Sequence, residues 1–505
     1  MIYPEGNELI NTYQDFKLVS QKKGAVANPM TILYEAGKST VTDPNGKMTS
    51  YNLFEDQLDS ATDPLGNAAY FTYGDTANPT RPTVVTDKNG NSTTYTYKDG
   101  SDDAGKKAIQ RGNILSIKNA LNQTTVFEYD IMNNLTKKTD PLTHATNYEY
   151  DDNQRNLIKI TYPEGGIEDI SYNSNGQIEN ITDPNVHITT FTYDPCGNIT
   201  RITDHLGNHI DFTYDGVGRL LTKTDQLGRT ITYNYDENDN LTRVIDADNK
   251  ATDYIFDANN NITKVTDARE KETIYTYNDR DFLATETDPI GNAYQYGYDN
   301  KGNLNSIKDP DNNETTYHFD DNNRLMEIKY NAATRVSFAE YDNNGNLKRM
   351  VDDNGETLFN YDVLNRITSS NDSFGETVSY EYNDAGNRTK ITYPVSKDVE
   401  YEYNDDNRLI KVTDWLGGET TYSYDNAGIL ETSVNPNGTK SRYVYDAANR
   451  LTGLSNQRSD NSILADYTYT PDAAGNHIQV VKNEPIIPTS PHPQILLTPM
   501  MMPTR

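Results

Sequence analysis

Cysteine is almost missing from this 505-residue chain: Cys196 stands alone, so an intrachain disulfide is excluded. The usual core formers are scarce, with hydrophobic residues at 34%. No run of about 18 apolar residues occurs, so no membrane-spanning helix is encoded. The first 30 residues hold no basic stretch followed by an apolar one, so no secretory signal is visible. Positive charge is short as well: 45 Lys plus Arg face 75 Asp plus Glu, a formal net charge of −30. Such a field argues against nucleic acid or an anionic membrane as partner, and leaves cations, basic proteins and neutral glycans. Helical periodicity is absent throughout, and the density of Gly, Asn, Asp and Pro would break long helices. Catalytic signatures are missing too: no Gly-x-Ser-x-Gly, no P-loop, no dinucleotide fingerprint.

What the chain has is tyrosine, 38 of them, in strict register. A Tyr-x-Tyr-Asp/Asn signal recurs at Tyr148-Tyr150, Tyr233-Tyr235, Tyr275-Tyr277, Tyr296-Tyr298, Tyr380-Tyr382, Tyr401-Tyr403, Tyr422-Tyr424 and Tyr443-Tyr445. The second aromatic advances by 21 residues from Tyr193 to Phe319 without a change of step. A fixed period of this length means one small supersecondary unit stacked many times, none of which can bury its apolar face alone.

One unit shows the chemistry. Asp288-Pro289-Ile290-Gly291 has turn preferences: Asp bonds nearby backbone, Pro presets φ, and Gly accepts the exit conformation. Tyr294, Tyr296 and Tyr298 alternate with small or polar residues and so share one face of a strand. Asp299-Asn300-Lys301-Gly302 repeats the turn chemistry, and 303–308 run back to the next Asp-Pro. Each repeat is therefore a hairpin with a turn at both ends. The turn slot recurs at Asp183, Asp204, Asp225, Asp246, Asp267, Asp288 and Asp309, and slips by one residue between Tyr330 and Asp352, which predicts a bulge or one longer turn. The fold class expected is all-β: a long antiparallel ribbon of hairpins. Roughly 17 repeats at two strands each would span about 160 Å if flat. Strand twist coils such a ribbon into an open or partial hollow shell.

The units Tyr-x-Tyr-Asp-x-x-Gly-Asn-Leu, Asp-Pro-x-Gly-Asn and Asn-Arg-Leu resemble the YD repeats of the rearrangement-hotspot (RHS) family. Gly197-Asn198-Ile199, Gly218-Arg219-Leu220, Gly302-Asn303-Leu304, Asn407-Arg408-Leu409 and Asn449-Arg450-Leu451 carry the resemblance, which covers roughly residues 31 to 483. It implies a hollow β-shell and a non-enzymatic, structural role. In the toxin members the shell encloses a C-terminal toxin domain, so the partner implied is that domain or the remaining shell of a larger parent. The Asn- and Asp-rich style is nearest the bacterial polymorphic-toxin and wall-associated branch, which implies a secreted or cell-surface protein. No cofactor follows from it.

Along the chain the expectation is a degraded first repeat and irregular link over 1–30 and irregular repeats over 31–128, with an exposed polar loop inserted near 98–112. The regular array over 129–483 is followed by a Pro/Met-rich disordered tail over 484–505 that holds six prolines. Met1 begins inside a turn, and no core segment or toxin follows the repeats, so the chain reads as a repeat-only fragment whose cut ends expose strand edges.

Candidate sites are few. The tyrosines could form an aromatic platform for sugars, or could simply stack from repeat to repeat and hold the sheet. Trp415, in the turn Asp414-Trp415-Leu416-Gly417, is the better candidate glycan contact, with packing against the next repeat as the plain reading; a carbohydrate-binding or adhesion module is the rival function. The Asp turns could hold calcium, but turn formation explains the same residues and no calcium-loop spacing is present. Seven histidines show no zinc spacing, though His144 and His187 occupy one slot two repeats apart.

Overall fold

The computed structural model describes residues 9–23, 28–98, 112–153 and 155–483. The expected first repeat, the link before residue 30 and the inserted loop lie partly outside the described residues, and the 484–505 tail lies wholly outside them. Among the described residues there is no helix. There are 44 strands, from Leu9–Gln14 to His477–Asn483, in one sheet. Each strand pairs antiparallel with the strands before and after it in sequence. The protein is a continuous meander, and the sheet does not close on itself by backbone pairing.

The period has a structural anatomy. A six-residue strand, Ile188–Tyr193, leads into a five-residue corner, 194–198; a five-residue strand, Ile199–Thr203, leads into a second corner, 204–208. The ladder shifts register just before the second aromatic, between Thr192 and Tyr193, and the same bulge recurs repeat after repeat. A bulge of this kind adds twist and bends the strand, so its repetition curves the sheet steadily. The slip after Tyr330 is taken up by a two-residue corner, Asn331-Ala332, both at positive φ, and by a nine-residue strand, Ala333–Tyr341, with irregular register. The corner is thus shorter rather than longer, and the bulge absorbs the difference.

The corners explain the Asp-x-x-Gly-Asn motif. At 194–198 the Asp194 N–H donates to the Asn198 carbonyl (2.9 Å), and the Gly197 N–H donates to the Asp194 carbonyl (3.1 Å). This is a three-residue hairpin loop whose last residue must enter the left-handed region, and Gly197 does so at φ 96°. The carboxylate completes it. Oδ1 of Asp194 accepts the backbone N–H of Cys196 and of Asn198, and Oδ2 accepts the Asn198 side-chain amide, each at 2.9 Å.

Where Arg replaces that Asn, its Nε takes the amide's place: Arg366 reaches Asp362 Oδ2 at 2.7 Å, and Arg324 reaches Asp320 Oδ2 at 2.7 Å. The longer side chain also ties one corner to the next. Arg324 Nη1 donates to the Asp342 carbonyl (3.0 Å), and its guanidinium lies 4.6 Å from the Tyr341 ring centroid.

Among the described residues there is no conventional core. Ile391 and Ala465 are the buried hydrophobic residues among those described. A single sheet has no second layer to cover it, so stability rests on the unbroken backbone ladder, on half-buried Tyr and Ile, and on the corner networks.

Candidate functional site

The tyrosines come first, since they dominate the sequence. The second tyrosine of a repeat donates its phenol O–H to a backbone carbonyl 15 residues earlier, at the start of the strand before. Tyr150 bonds Leu135, Tyr235 Leu220, Tyr277 Ile262, Tyr382 Ile367, Tyr403 Arg388 and Tyr424 Leu409, at 2.7–3.0 Å. The first tyrosine of the pair lies opposite a residue of the next strand: Tyr148 opposite Ile160, Tyr233 opposite Val244, Tyr380 opposite Ile391, Tyr401 opposite Val412, Tyr443 opposite Leu454. Tyr275 and Tyr422 face polar partners, Glu286 and Ser433. Tyr298 packs against Phe282, with ring centroids 5.0 Å apart.

Stacking from repeat to repeat is therefore not how these rings act. Equivalent tyrosines are two strands apart, roughly 10 Å, beyond ring contact, and the intervening strand puts Ile, Val or Leu opposite most of them and Glu or Ser opposite Tyr275 and Tyr422. Among the described residues the Tyr–Tyr ring pairs lie within one strand, Tyr95–Tyr97 and Tyr467–Tyr469. Burial raises the phenol pKa of Tyr150, Tyr235, Tyr277, Tyr298, Tyr382, Tyr403, Tyr424 and Tyr445. Tyr296, desolvated and donating to Glu286 Oε2 at 3.1 Å, is pushed up to about 12. Replacing Tyr277 by Phe should cost about 1 kcal/mol, the worth of one such bond with a carbonyl left unpaired, and thermal denaturation would measure it. A neutral result would show that the phenol bonds carry no stability.

The corners build the larger feature. Corners of the Asp-Pro kind in the first half of the chain meet corners of the Tyr-Asp kind in the second half. Lys301 Nζ lies 2.5 Å from Asp43 Oδ2, and Lys47 Nζ lies 2.7 Å from Asp321. The Asn322 side chain donates to Asp63 Oδ2 (2.8 Å), and Asn344 donates to Asp87 Oδ2 (2.7 Å). Asn89 donates to Asp342 Oδ2 (2.9 Å), Gln123 to Asp384 (2.8 Å), and Asn185 to Asp425 (2.9 Å). Partners in this series are 240 to 274 residues apart. Corner 43–47 follows the fourth strand and corner 299–303 the twenty-seventh; corner 119–123 follows the tenth and corner 383–387 the thirty-fifth. The ribbon therefore returns on itself every 23 to 25 strands, and the contacts form a seam joining successive windings of a tube. A circumference of about 24 strands at roughly 4.8 Å each is about 115 Å, a bore of roughly 37 Å between backbones if circular.

The seam is polar and its charge is tuned. Burial works against ionisation at Asp63, Asp281, Asp299 and Asp342, yet each is held below the usual carboxylate range by its donors: Lys88, Asn67 and Asn322 at Asp63, Lys23 and Asn259 at Asp281, Asn303 and Asn45 at Asp299, Asn346 and Asn89 at Asp342. His144 sits between windings, with Nδ1 3.3 Å from Asp140 and Nε2 3.1 Å from Asp405. His187 occupies the same slot two repeats on and contacts Asn449 at 3.2 Å. Clefts of about 500 and 570 Å³ open along the seam, one lined by Asp63, Lys88, Lys301 and Asn344, the other by Glu164, Tyr403, Arg408 and Tyr422.

The remaining candidates are scattered. Trp415 is 51% exposed at its corner, with the Lys397 ammonium 5.5 Å from the ring centroid, rather than packed away against the next repeat. Cys196 is exposed and has no titratable partner in its corner bonds. Among the described residues no three His, Cys, Asp or Glu side chains converge as metal ligands. The corner carboxylate oxygens are already taken by N–H donors, which is the turn-forming use of these aspartates. His492 lies outside the described residues. Sequence reading missed the phenol bonds and the seam. The first left a signal, an offset of 14 to 16 residues, most often 15, from the second Tyr of a repeat back to the first residue of the preceding strand; the second left only Asn and Lys at corner tips some 255 residues apart.

A hollow, single-layered β-wall wound from Tyr-Asp hairpins, with a corner seam and no catalytic constellation among the described residues, is the shell class of repeat protein. The teneurin YD-shell model matches residues 106–231 and 291–414, and the RHS repeat model matches 214–252, 256–289 and 403–440. The chain belongs to the RHS/YD-repeat family. Among solved structures it is similar to the TcdB2-TccC3 complex, with a TM-score of 0.50 and 13% identity over 92% of this chain and 27% of that one. The same complex without its hypervariable C-terminal region gives a TM-score of 0.50 and 13% identity over 95% and 27%. At that identity the likeness is one of fold. The chain spans about a quarter of the length of these relatives. No curated protein matches it.

Proposed function

We propose that the chain is a wall segment of a molecular container, non-enzymatic in itself, which in its complete parent holds a C-terminal toxin domain apart from its surroundings. The observation that carries this reading is the seam, because side chains joining windings 240 to 274 residues apart turn a ribbon into a tube. The solved relative exists with and without a hypervariable C-terminal region, which supports a shell that carries a variable passenger. A secreted or cell-surface setting goes with the same reading.

The dimensions set the mechanism. A compact 100-residue domain has a radius of gyration near 13 Å, roughly 34 Å across as a sphere. Side chains narrow the bore to roughly 25 Å, so a passenger of that size is held unfolded or partly folded, and the wall works by excluding other macromolecules. Fusing a passenger of 60 or so residues with an internal protease site to the C-terminus tests this. Cleavage slowed at least about tenfold relative to the free passenger, with the protection lost when the seam is broken by mutation, is the expected result. Cleavage at the free rate would refute containment.

A further inference from the structure

Six asparagines in the chain are followed directly by glycine: Asn45, Asn89, Asn175, Asn344, Asn354 and Asn437. Three of them are seam residues. Asn45 donates its side-chain amide to Asp299 Oδ2 (3.2 Å), Asn89 to Asp342 Oδ2 (2.9 Å) and Asn344 to Asp87 Oδ2 (2.7 Å), each across the windings. The glycines that follow have a local cause: each is the left-handed residue of its corner, at φ 80°, 87° and 97°. A glycine also leaves its own nitrogen unshielded by any side chain. The seam thus hangs part of its polar contact on amides that the neighbouring backbone nitrogen can attack.

That reaction needs only water. The glycine nitrogen attacks the asparagine Cγ, a C–N bond forms, the Cγ–Nδ2 bond breaks, and ammonia leaves with the glycine proton. Water then opens the cyclic imide at either carbonyl, giving aspartate or the isomer in which the chain runs through Cγ. Net, one amide and one water become one carboxylate and one ammonium ion. The closed corner holds the reaction back. The Gly46, Gly90 and Gly345 nitrogens donate to the carbonyl of their corner's first residue at 2.9–3.1 Å, while the amide is engaged on the other winding. Attack therefore waits on local opening.

Conversion sets a carboxylate oxygen where the amide stood, in hydrogen-bond range of another carboxylate. Burial works against ionisation of Asp299 and Asp342, yet donors that include Asn303 and Asn346 hold both below the usual carboxylate range, so anion meets anion. We propose that Asn45, Asn89 and Asn344 are self-modification sites whose conversion to aspartate or isoaspartate locks the seam open. Opening that lasts long enough for the imide to form turns an attractive contact into a repulsive one. The windings then stay apart, whether or not the tube holds a passenger.

Peptide mapping of the full chain by mass spectrometry, during incubation at mildly alkaline pH, tests the first step. Asn175 is the reference: its corner keeps the same glycine bond (Gly176 N–H to the Asn173 carbonyl, 3.0 Å), with no bond across the windings among the described residues. In the native chain the three seam asparagines should convert at least about tenfold more slowly than Asn175, and in urea all four at similar rates. Replacing Lys47, Lys88 and Lys301 by Ala should bring the three toward the Asn175 rate, while Asn185, a seam donor followed by Val186, stays intact. Equal rates in the native chain would overturn the proposal. The second step is tested by Asn45→Asp/Asn89→Asp/Asn344→Asp. This variant should keep its far-UV circular dichroism, show a larger maximum dimension by small-angle scattering in low salt, and contract near 1 M NaCl, where the Debye length is about 3 Å. Asn45→Ala/Asn89→Ala/Asn344→Ala, which loses the donors without gaining charge, should expand less and respond less to salt. A native profile in the aspartate variant, or equal expansion in both, would overturn the proposal as well.

Discussion

Between pH 6 and pH 3 the melting temperature is expected to fall by roughly 10–20 °C, with most of the loss below about pH 4. The cause is the repeated corner carboxylate. Asp194 and Asp236 are held below their ordinary pKa first by the side-chain amides of Asn198 and Asn240, and then by backbone N–H donors. Asp215 and Asp267 are lowered first by the backbone N–H groups of Arg219 and Lys271. Asp288 and Asp299 are lowered by their donors against the opposing pull of desolvation. A carboxylate whose folded pKa lies below its unfolded value, about 3.9, contributes stability that is complete above that pH and is lost as pH falls through the folded value.

One effect runs the other way. Protonation down to the isoelectric point near 4.5 removes the self-repulsion of a chain at −30, which raises stability. The two act in different windows, so the expected profile rises slightly toward pH 5 and then drops steeply. Circular dichroism melts at low protein concentration would trace it. A profile flat to pH 3 would show that the corner bonds do not matter.

A second large effect belongs to the seam. Replacing Lys47, Lys88 and Lys301 together by Ala removes cations that bridge or line the windings: Lys47 to Asp321, Lys88 to Asp63, Lys301 to Asp43. Exposed pairs of this kind contribute about 0.2–1 kcal/mol each. Lys301 is different, since its side chain is 10% exposed and loss of its charge strands Asp43 in a partly desolvated site. Together the three should cost the seam roughly 2–4 kcal/mol. The ladder does not depend on the seam, so far-UV circular dichroism should stay the same while the windings part. Small-angle scattering should show a larger maximum dimension, and protease should cut at corners 43–47 and 299–303 first. An unchanged scattering profile would mean that the wall keeps its shape without these contacts.

The parts of this architecture that were legible in the sequence are the local ones. Asp, Gly and Asn at fixed offsets announce corners because a corner is settled within five residues, and Tyr148-x-Tyr150 announces a strand face because the pleat has period two. The family resemblance rests on the same local units. The winding number was not legible. It depends on curvature added by a bulge at Thr192/Tyr193 and at each of its counterparts, and small local bends sum to a closure that no single repeat encodes. The seam was hidden for the same reason. Asn89, Lys301 and Asn344 stand in ordinary turn sequences until the winding brings each to face a corner of the other half of the chain. The tyrosines misled in a different way. A row of rings suggests a stack, but the spacing of two strands per repeat forbids it, and the phenol oxygen does the joining instead.

The most direct test of the wound-sheet account is cross-linking across the seam. In a Cys196→Ser background, Asn89→Cys and Asn343→Cys lie at corners 87–91 and 342–346, where the Asn343 N–H reaches Asn89 Oδ1 at 3.1 Å. A short bifunctional thiol reagent should join them within one chain in high yield, while Asn89→Cys paired with Asn426→Cys, four repeats further around the winding, should give no intrachain product. Equal yields for the two pairs, or none for either, would contradict a tube whose windings meet corner to corner.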